Sequence, residues 1–222
     1  MRALKISPSL ICMNFLEVGR QIAALNRLAD SYHFDIMDCH FANSFGLPLE
    51  FLRQIKSVSS LPIDVHLMVE DVERTVQELL NIGVGTITFP IETVSSNAFS
   101  LISRVKSAAT NVGIAVNPVT PIEHLKYVLP LIDKVTVMTF DPGVSGQKLV
   151  EITLTKVTSL VELRKINDYK YDIEVDGSCN KANFKNMFAA GANQFVVGSS
   201  GLFRLHNDIE MAWRKMKEYM ND

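Results

Sequence analysis

Short runs rich in β-branched and apolar residues recur eight times along this chain, separated by amphipathic or turn-rich segments. Few folds accommodate that alternation. The runs are LKISPSL (4–10), YHFDIMD (32–38), PIDVHLM (62–68), GTITF (85–89), VGIAV (112–116), KVTVMT (134–139), YDIEVD (171–176) and NQFVVG (193–198). Between them, FLEVGRQIAALNRLA and VERTVQELLNIG repeat apolar residues at the helical period, and DIEMAWRKMKEYM predicts a closing helix. Several runs are almost uniformly apolar, as parallel strands covered on both faces are. The alternation predicts an α/β fold with a parallel sheet, and eight units in 222 residues predict a single (β/α)8 TIM barrel over residues 1–222.

A doubly wound open sheet alternates strands and helices too, but carries a glycine-rich phosphate turn after its first strand. Here that turn reads SLICMNF, with no glycine. The glycine-bearing turns are DPGVSGQ (141–147), DGSCN (176–180) and VGSSGLF (197–203), after the sixth, seventh and eighth runs. A phosphate grip after the last strands is a barrel habit. Glycine lets backbone N–H groups approach an anion closely, and a short helix after the eighth run would add its N-terminal dipole. Any one such turn is ordinary chain reversal; three in neighbouring strand–helix connections point to a phosphorylated ligand.

Composition narrows the partners. A net charge of −2 without basic blocks gives nucleic acid no electrostatic hold. No apolar stretch reaches the ~18–20 residues of a membrane span, and MRALKISPSL lacks the pattern of a signal peptide. Cys12, Cys39 and Cys179 are odd in number and scattered, which fits reduced thiols and a cytoplasmic setting.

Chemistry concentrates at strand ends. His33 and Asp35 alternate in YHFDIMD and so share a face, His66 lies in PIDVHLM, and Asp176 ends YDIEVD. Each alone reads more readily as a hydrogen-bonded core histidine or a helix-capping aspartate. Together, at the C-terminal ends of barrel strands, two imidazoles and two carboxylates make a donor set for one divalent ion: zinc, iron, manganese or cobalt. Asp35 and Asp176 are also proton carriers. Placed on opposite faces of a sugar, one can remove a proton while the other returns one. Met37, Met68 and Met138 recur near the same strand ends, where core filling is their first reading and shielding of a reactive intermediate their second.

At these residues the chain resembles the ribulose-phosphate 3-epimerase family, through KISPSL, HFDIMDCHF, DVHLMV, VMTFDPGVSGQ, IEVDGSCN and VVGSSGLF, from residue 5 to the end of the barrel. The resemblance implies a divalent metal on His33, Asp35, His66 and Asp176, with Asp35 and Asp176 as the acid–base pair inverting C3 of a ketose phosphate through an enediolate. It implies substrate contacts from Ser9, His66 and Asp176. It also implies a phosphate held by Gly143, Val144, Ser145 and Gly146, by Gly177 and Ser178, and by Gly198, Ser199 and Ser200. Barrels of this family often associate, so a homo-oligomer is expected. DGSCN and VGSSGLF are more similar to the D-allulose 6-phosphate 3-epimerase branch than to enzymes of D-ribulose 5-phosphate. Two departures stand out: MDCHFANSFG puts Cys39 where the family pattern has glycine and shortens the following loop, and Pro90 stands where a histidine is common.

Rival readings are a barrel that decarboxylates or condenses sugar phosphates, and a non-catalytic sugar-phosphate-binding barrel. The first needs a lysine on the third strand, where DVHLMV has His66. The second rests only on the altered loop and Pro90.

Overall fold

The computed structural model describes residues 3–144 and 146–221. Eight strands form one sheet: β1 (Lys5–Pro8), β2 (Tyr32–Met37), β3 (Ile63–Met68), β4 (Thr86–Pro90), β5 (Asn111–Val116), β6 (Lys134–Met138), β7 (Asp172–Asp176) and β8 (Gln194–Val197). Each run predicted from sequence holds one strand, its ends within one or two residues. Pairing is parallel throughout in the order β1-β8-β7-β6-β5-β4-β3-β2. A single parallel bridge, Ser9 to His33, joins β1 to β2 and closes the barrel.

The helices are α1 (Val18–Leu25), α2 (Leu49–Val58), α3 (Val72–Ile82), α4 (Ile91–Val94), α5 (Ala98–Ser107), α6 (Thr153–Ile166), α7 (Phe184–Ala190) and α8 (Ile209–Asn221). Their ends follow local chemistry. Asp71 accepts the Arg74 N–H at the start of α3, and Gly83 ends that helix at φ 77°. Helix α1 is shorter than its amphipathic stretch, because Asn14 Oδ1 takes the Leu16 N–H and holds Phe15 and Leu16 outside the helix.

Strand and helix do not alternate uniformly. Two helices follow β4, and between β5 and β6 run only the 3₁₀ turns Ile122–Leu125 and Leu129–Leu131. Pro118, Pro121 and Pro130 explain this, since proline removes a helical donor and clashes with the preceding turn. The connection is pinned instead by Lys156 on α6, which donates to the carbonyls of Asn117 and Thr120 at 2.6 Å each, and by Glu92, which accepts the Asn117 N–H.

The apolar core lies between sheet and helices. Phe34, Val65, Ile87, Phe89, Val135 and Val175 on the strands are fully buried against Ile22, Leu52, Val76, Leu79 and Leu160 on the helices. The alternate positions face inward and are largely polar: Ser7, His33, Asp35, Asp64, His66, Thr88, Lys134, Thr136, Glu174 and Asp176. The strands are therefore alternating rather than uniformly apolar, and the barrel's interior is stacked with polar side chains. Among the described residues, no helix is long and apolar enough to cross a membrane.

The connections after β7 and β8 touch at backbone distance. A Cβ on Gly201 would collide with the Cys179 carbonyl. Gly201→Ala should lower stability by ~1–3 kcal/mol, the cost of overpacking a site with no slack, as measured by urea denaturation followed by circular dichroism.

A candidate metal and acid–base site at the barrel mouth

Alternation and register bring the four strand-end residues together. His33 and Asp35 share the inner face of β2, and parallel pairing sets Asp35 beside His66 of β3. Asp176 ends β7, across the barrel from β3. His33 Nε2 lies 3.0 Å from Asp35 Oδ1 and 3.3 Å from Asp176 Oδ2. His66 Nδ1 lies 3.2 Å from Asp176 Oδ2 and 3.8 Å from Asp35 Oδ1. Ser9, from the end of β1, donates its hydroxyl to Asp35 Oδ2 at 2.7 Å. One ligand atom from each of His33, Asp35, His66 and Asp176 falls within 4.8 Å of the others, a separation that one ion can bridge. Two nitrogen and two oxygen donors fit a divalent transition metal.

Charge is balanced locally. Burial disfavours an imidazolium at His33, yet the Asp35 and Asp176 carboxylates outweigh it and hold His33 well above the usual histidine range. Burial would also raise the Asp176 carboxyl, but His33 and then His66 overcome it and hold Asp176 well below the usual carboxylate range. A proton on His33 thus does the neutralising that a divalent cation would otherwise do.

Above these residues opens a cavity of about 600 Å³, within the range of small-molecule sites. Ser9, Asp35, Asp176, Gly143, Val144, Gly146, Gly177, Ser178, Gly198, Ser199 and Ser200 line it, so the glycine turns and the aspartates face one space. His33 and His66 are buried against the carboxylates and are not among the residues that line it, including His66, expected from sequence to touch substrate. Ser145 lies outside the described residues. Met37, Met68 and Met138 are wall residues of the same cavity, joined by Met13.

The three turns are tied together. Ser178 Oγ donates to the Gln147 carbonyl at 2.6 Å, linking the turns after β7 and β6, and Asn180 Nδ2 donates to Ser200 Oγ at 3.2 Å, linking those after β7 and β8. Gly143, Gly146 and Gly177 adopt φ of 97°, 86° and 114°, where a side chain is strained. After β8 the chain forms a five-residue π turn, Ser199–Phe203. It is too short for an appreciable helix dipole, so the contribution expected there reduces to backbone donors.

Gln147, Asn180 and Arg204 escaped the sequence reading. Arg204 follows the π turn and is the one lysine or arginine among the described residues that line the cavity. Its signal was a lone cation just beyond VGSSGLF, indistinguishable in sequence from any exposed arginine. Cys39 holds φ 61°, a left-handed conformation better suited to the glycine of the family pattern, and lies outside the cavity lining. Pro90, the last residue of β4, is likewise not a lining residue.

Paired carboxylates, a cation-type donor set and glycine turns gathered on one cavity suit an enzyme that handles a small anionic molecule. The chain matches the model of the "Ribulose-phosphate 3 epimerase family" over residues 5–203, belongs to that family, and is thereby an isomerase. It is 36% identical over 202 residues to a ribulose-phosphate 3-epimerase of Treponema pallidum, covering 90% of this chain and 91% of the relative. To the Aquifex aeolicus ribulose-phosphate 3-epimerase it is 33% identical over 216 residues, covering 97% and 96%. Among solved structures, 3-hexulose-6-phosphate synthase from Salmonella typhimurium superposes with TM-score 0.68 at 15% identity, covering 98% of this chain and 99% of that one, and shares the fold.

Ion binding must displace the proton on His33, so divalent-metal affinity should rise with pH up to the raised pKa of that imidazole. Titrating the metal-free protein with Mn²⁺ between pH 6 and 9, reading free ion by electron paramagnetic resonance, checks this. An affinity flat across that range would remove His33 from the ligand set.

Proposed function

We propose that the chain is a metal-dependent ketose-phosphate 3-epimerase that inverts C3 by two-carboxylate proton transfer through an enediolate. The observation that carries the reading is the meeting of Asp35 and Asp176, from separate strands, with three glycine turns on one cavity. His33, Asp35, His66 and Asp176 would hold one divalent ion, and such an ion supplies Lewis-acid stabilisation of the negative charge that develops on the substrate oxygens.

The protein's own groups divide the remaining work. One aspartate takes the C3 proton from one face of the sugar, and the other returns a proton to the opposite face; in the reverse reaction they exchange roles. Ser9 and His33 orient Asp35, and His66 with His33 orients Asp176. Methionines 13, 37, 68 and 138 carry no exchangeable proton, so the wall they form keeps the returned proton under the control of the aspartates. Gly143, Val144 and Gly146, with the turns at Gly177–Ser178 and Gly198–Ser200, supply backbone donors to the phosphate, and Arg204 adds a positive charge to the cavity wall.

For the substrate we favour D-allulose 6-phosphate, giving D-fructose 6-phosphate, on the strength of DGSCN and VGSSGLF. The second reading is D-ribulose 5-phosphate, giving D-xylulose 5-phosphate, favoured by the names of the 36% and 33% identical relatives. The two sugars differ by one CHOH unit, which a site without matched polar groups discriminates weakly. We place the enzyme in the cytoplasm, consistent with its scattered free cysteines, and as a homo-oligomer on the family resemblance alone.

Both sugars offered in deuterated water with added metal should show deuterium entering C3 with epimer formation, and the ratio of kcat/KM names the substrate. No exchange from either sugar by folded, metal-loaded protein would overturn the reading. Asp176→Asn should lose roughly 10²–10⁴-fold in kcat while inorganic phosphate still binds, because a carboxamide cannot carry the proton. Arg204→Ala should raise KM about tenfold with little change in kcat, the signature of losing one charge-assisted contact to a spectator phosphate.

A further inference from the structure

Beneath the site lies a second polar layer that proton transfer does not use. Lys134 of β6, Asp64 of β3 and Glu174 of β7 point into the barrel and are 4%, 3% and 0% exposed. The Lys134 ammonium is paired with Asp64 and with Glu174 Oε1, the latter at 2.7 Å. Thr88 donates its hydroxyl to Asp64 Oδ1 at 3.0 Å, and Thr136 donates to Glu174 Oε1 at 2.8 Å. Stability does not explain such a cluster, since apolar residues of similar volume often serve a buried site as well or better.

Among the described residues, two buried atoms beside it have no hydrogen-bond partner: His33 Nδ1 and Glu174 Oε2. His33 turns its Nε2 toward Asp35 and Asp176, so its Nδ1 edge faces away from the upper site. His33, Asp64 and Glu174 each bring a ligand atom within 4.8 Å of one another. That trio would resemble a second ion site, except that the Lys134 ammonium already lies against both of its carboxylates. Because Lys134 and Thr136 both donate to Glu174 Oε1, the lone pairs of Oε2 stay available to an N–H.

We propose that Lys134, Asp64 and Glu174 form a positioning layer for His33, keeping its proton on Nδ1 and presenting Nε2 bare to the divalent ion above. Both carboxylates are held by the one ammonium, and the free oxygen of Glu174 is an acceptor close to the unpartnered Nδ1 edge of His33, which favours an N–H over a lone pair there. Lys134 holds the carboxylates in place and fills the position a second cation would take. Partners of this kind fix the orientation and basicity of a ligating imidazole. The inference rests on reading His33 as a ligand.

The test uses the full chain, metal-free and then loaded. Glu174→Gln keeps shape but weakens the acceptor; Lys134→Met with Glu174→Gln conserves the layer's net charge and serves should the single variant fold poorly. Mn²⁺ affinity, read as free ion by electron paramagnetic resonance, should fall ~10–100-fold in either variant, with inorganic phosphate binding unchanged and kcat recovering at saturating Mn²⁺. Histidine ¹⁵N spectra of the zinc-loaded parent should show His33 protonated on Nδ1, a readout that needs no variant. A parent with His33 protonated on Nε2, a parent binding two ions per chain, or variants with parental Mn²⁺ affinity would overturn the proposal. Loss of epimerisation by the parent on both sugars would instead defeat the reaction assignment and leave these measurements standing.

Discussion

Mutual neutralisation of charges inside a closed barrel is the interaction on which this structure depends. Asp35 and Asp176 come from strands that do not pair, yet their carboxylates approach the same two imidazoles. Two unpaired buried carboxylates would repel one another and take up protons, ending their use as bases. His33 prevents that by carrying a proton, and a cation shared with His66 would serve in its place. One layer lower, Lys134 performs the same service for Asp64 and Glu174. The interior is thus a stack of compensated charges, and the apolar core that pays for it lies outside the sheet.

The scaffold separates rigidity from recognition. Strand register sets the aspartates and histidines to within a hydrogen bond of each other, while recognition is left to connections laced by Ser178, Gln147, Asn180 and Ser200. The same division tolerates irregularity elsewhere. The connection after β5 lost its helix to three prolines, and Lys156 and Glu92 hold it without disturbing the strand order.

Much of this was legible in the sequence. The eight strands were readable because a buried strand is short, β-branched and bounded by turn residues, and His33, Asp35, His66 and Asp176 were readable because alternation fixes which residues share a face. The lower layer was not. Lys134, Asp64 and Glu174 sit within apolar runs at separations of 40 and 70 residues, so only the pairing of β6 with β7 and the curvature of the sheet reveal that they meet. A charged residue in the middle of a strand-like run was the available signal, and the polar inner face corrects the reading of uniformly apolar strands. The missing helix after β5 was visible as prolines, but the regularity of the other repeats masked it. Arg204 needed the fold, since only the packing of the last two turns brings it over the cavity.

One detail of closure carries a consequence of its own. Seven of the eight strand junctions are ladders of several residue pairs, whereas the eighth is the lone Ser9–His33 bridge. Both of its residues also belong to the charged cluster, Ser9 through Asp35 and His33 through both aspartates. The barrel's thinnest seam is therefore stitched by the site itself. Anything bound by that cluster would bear on both sides of the seam, so the site and the closure of the cylinder share the same residues.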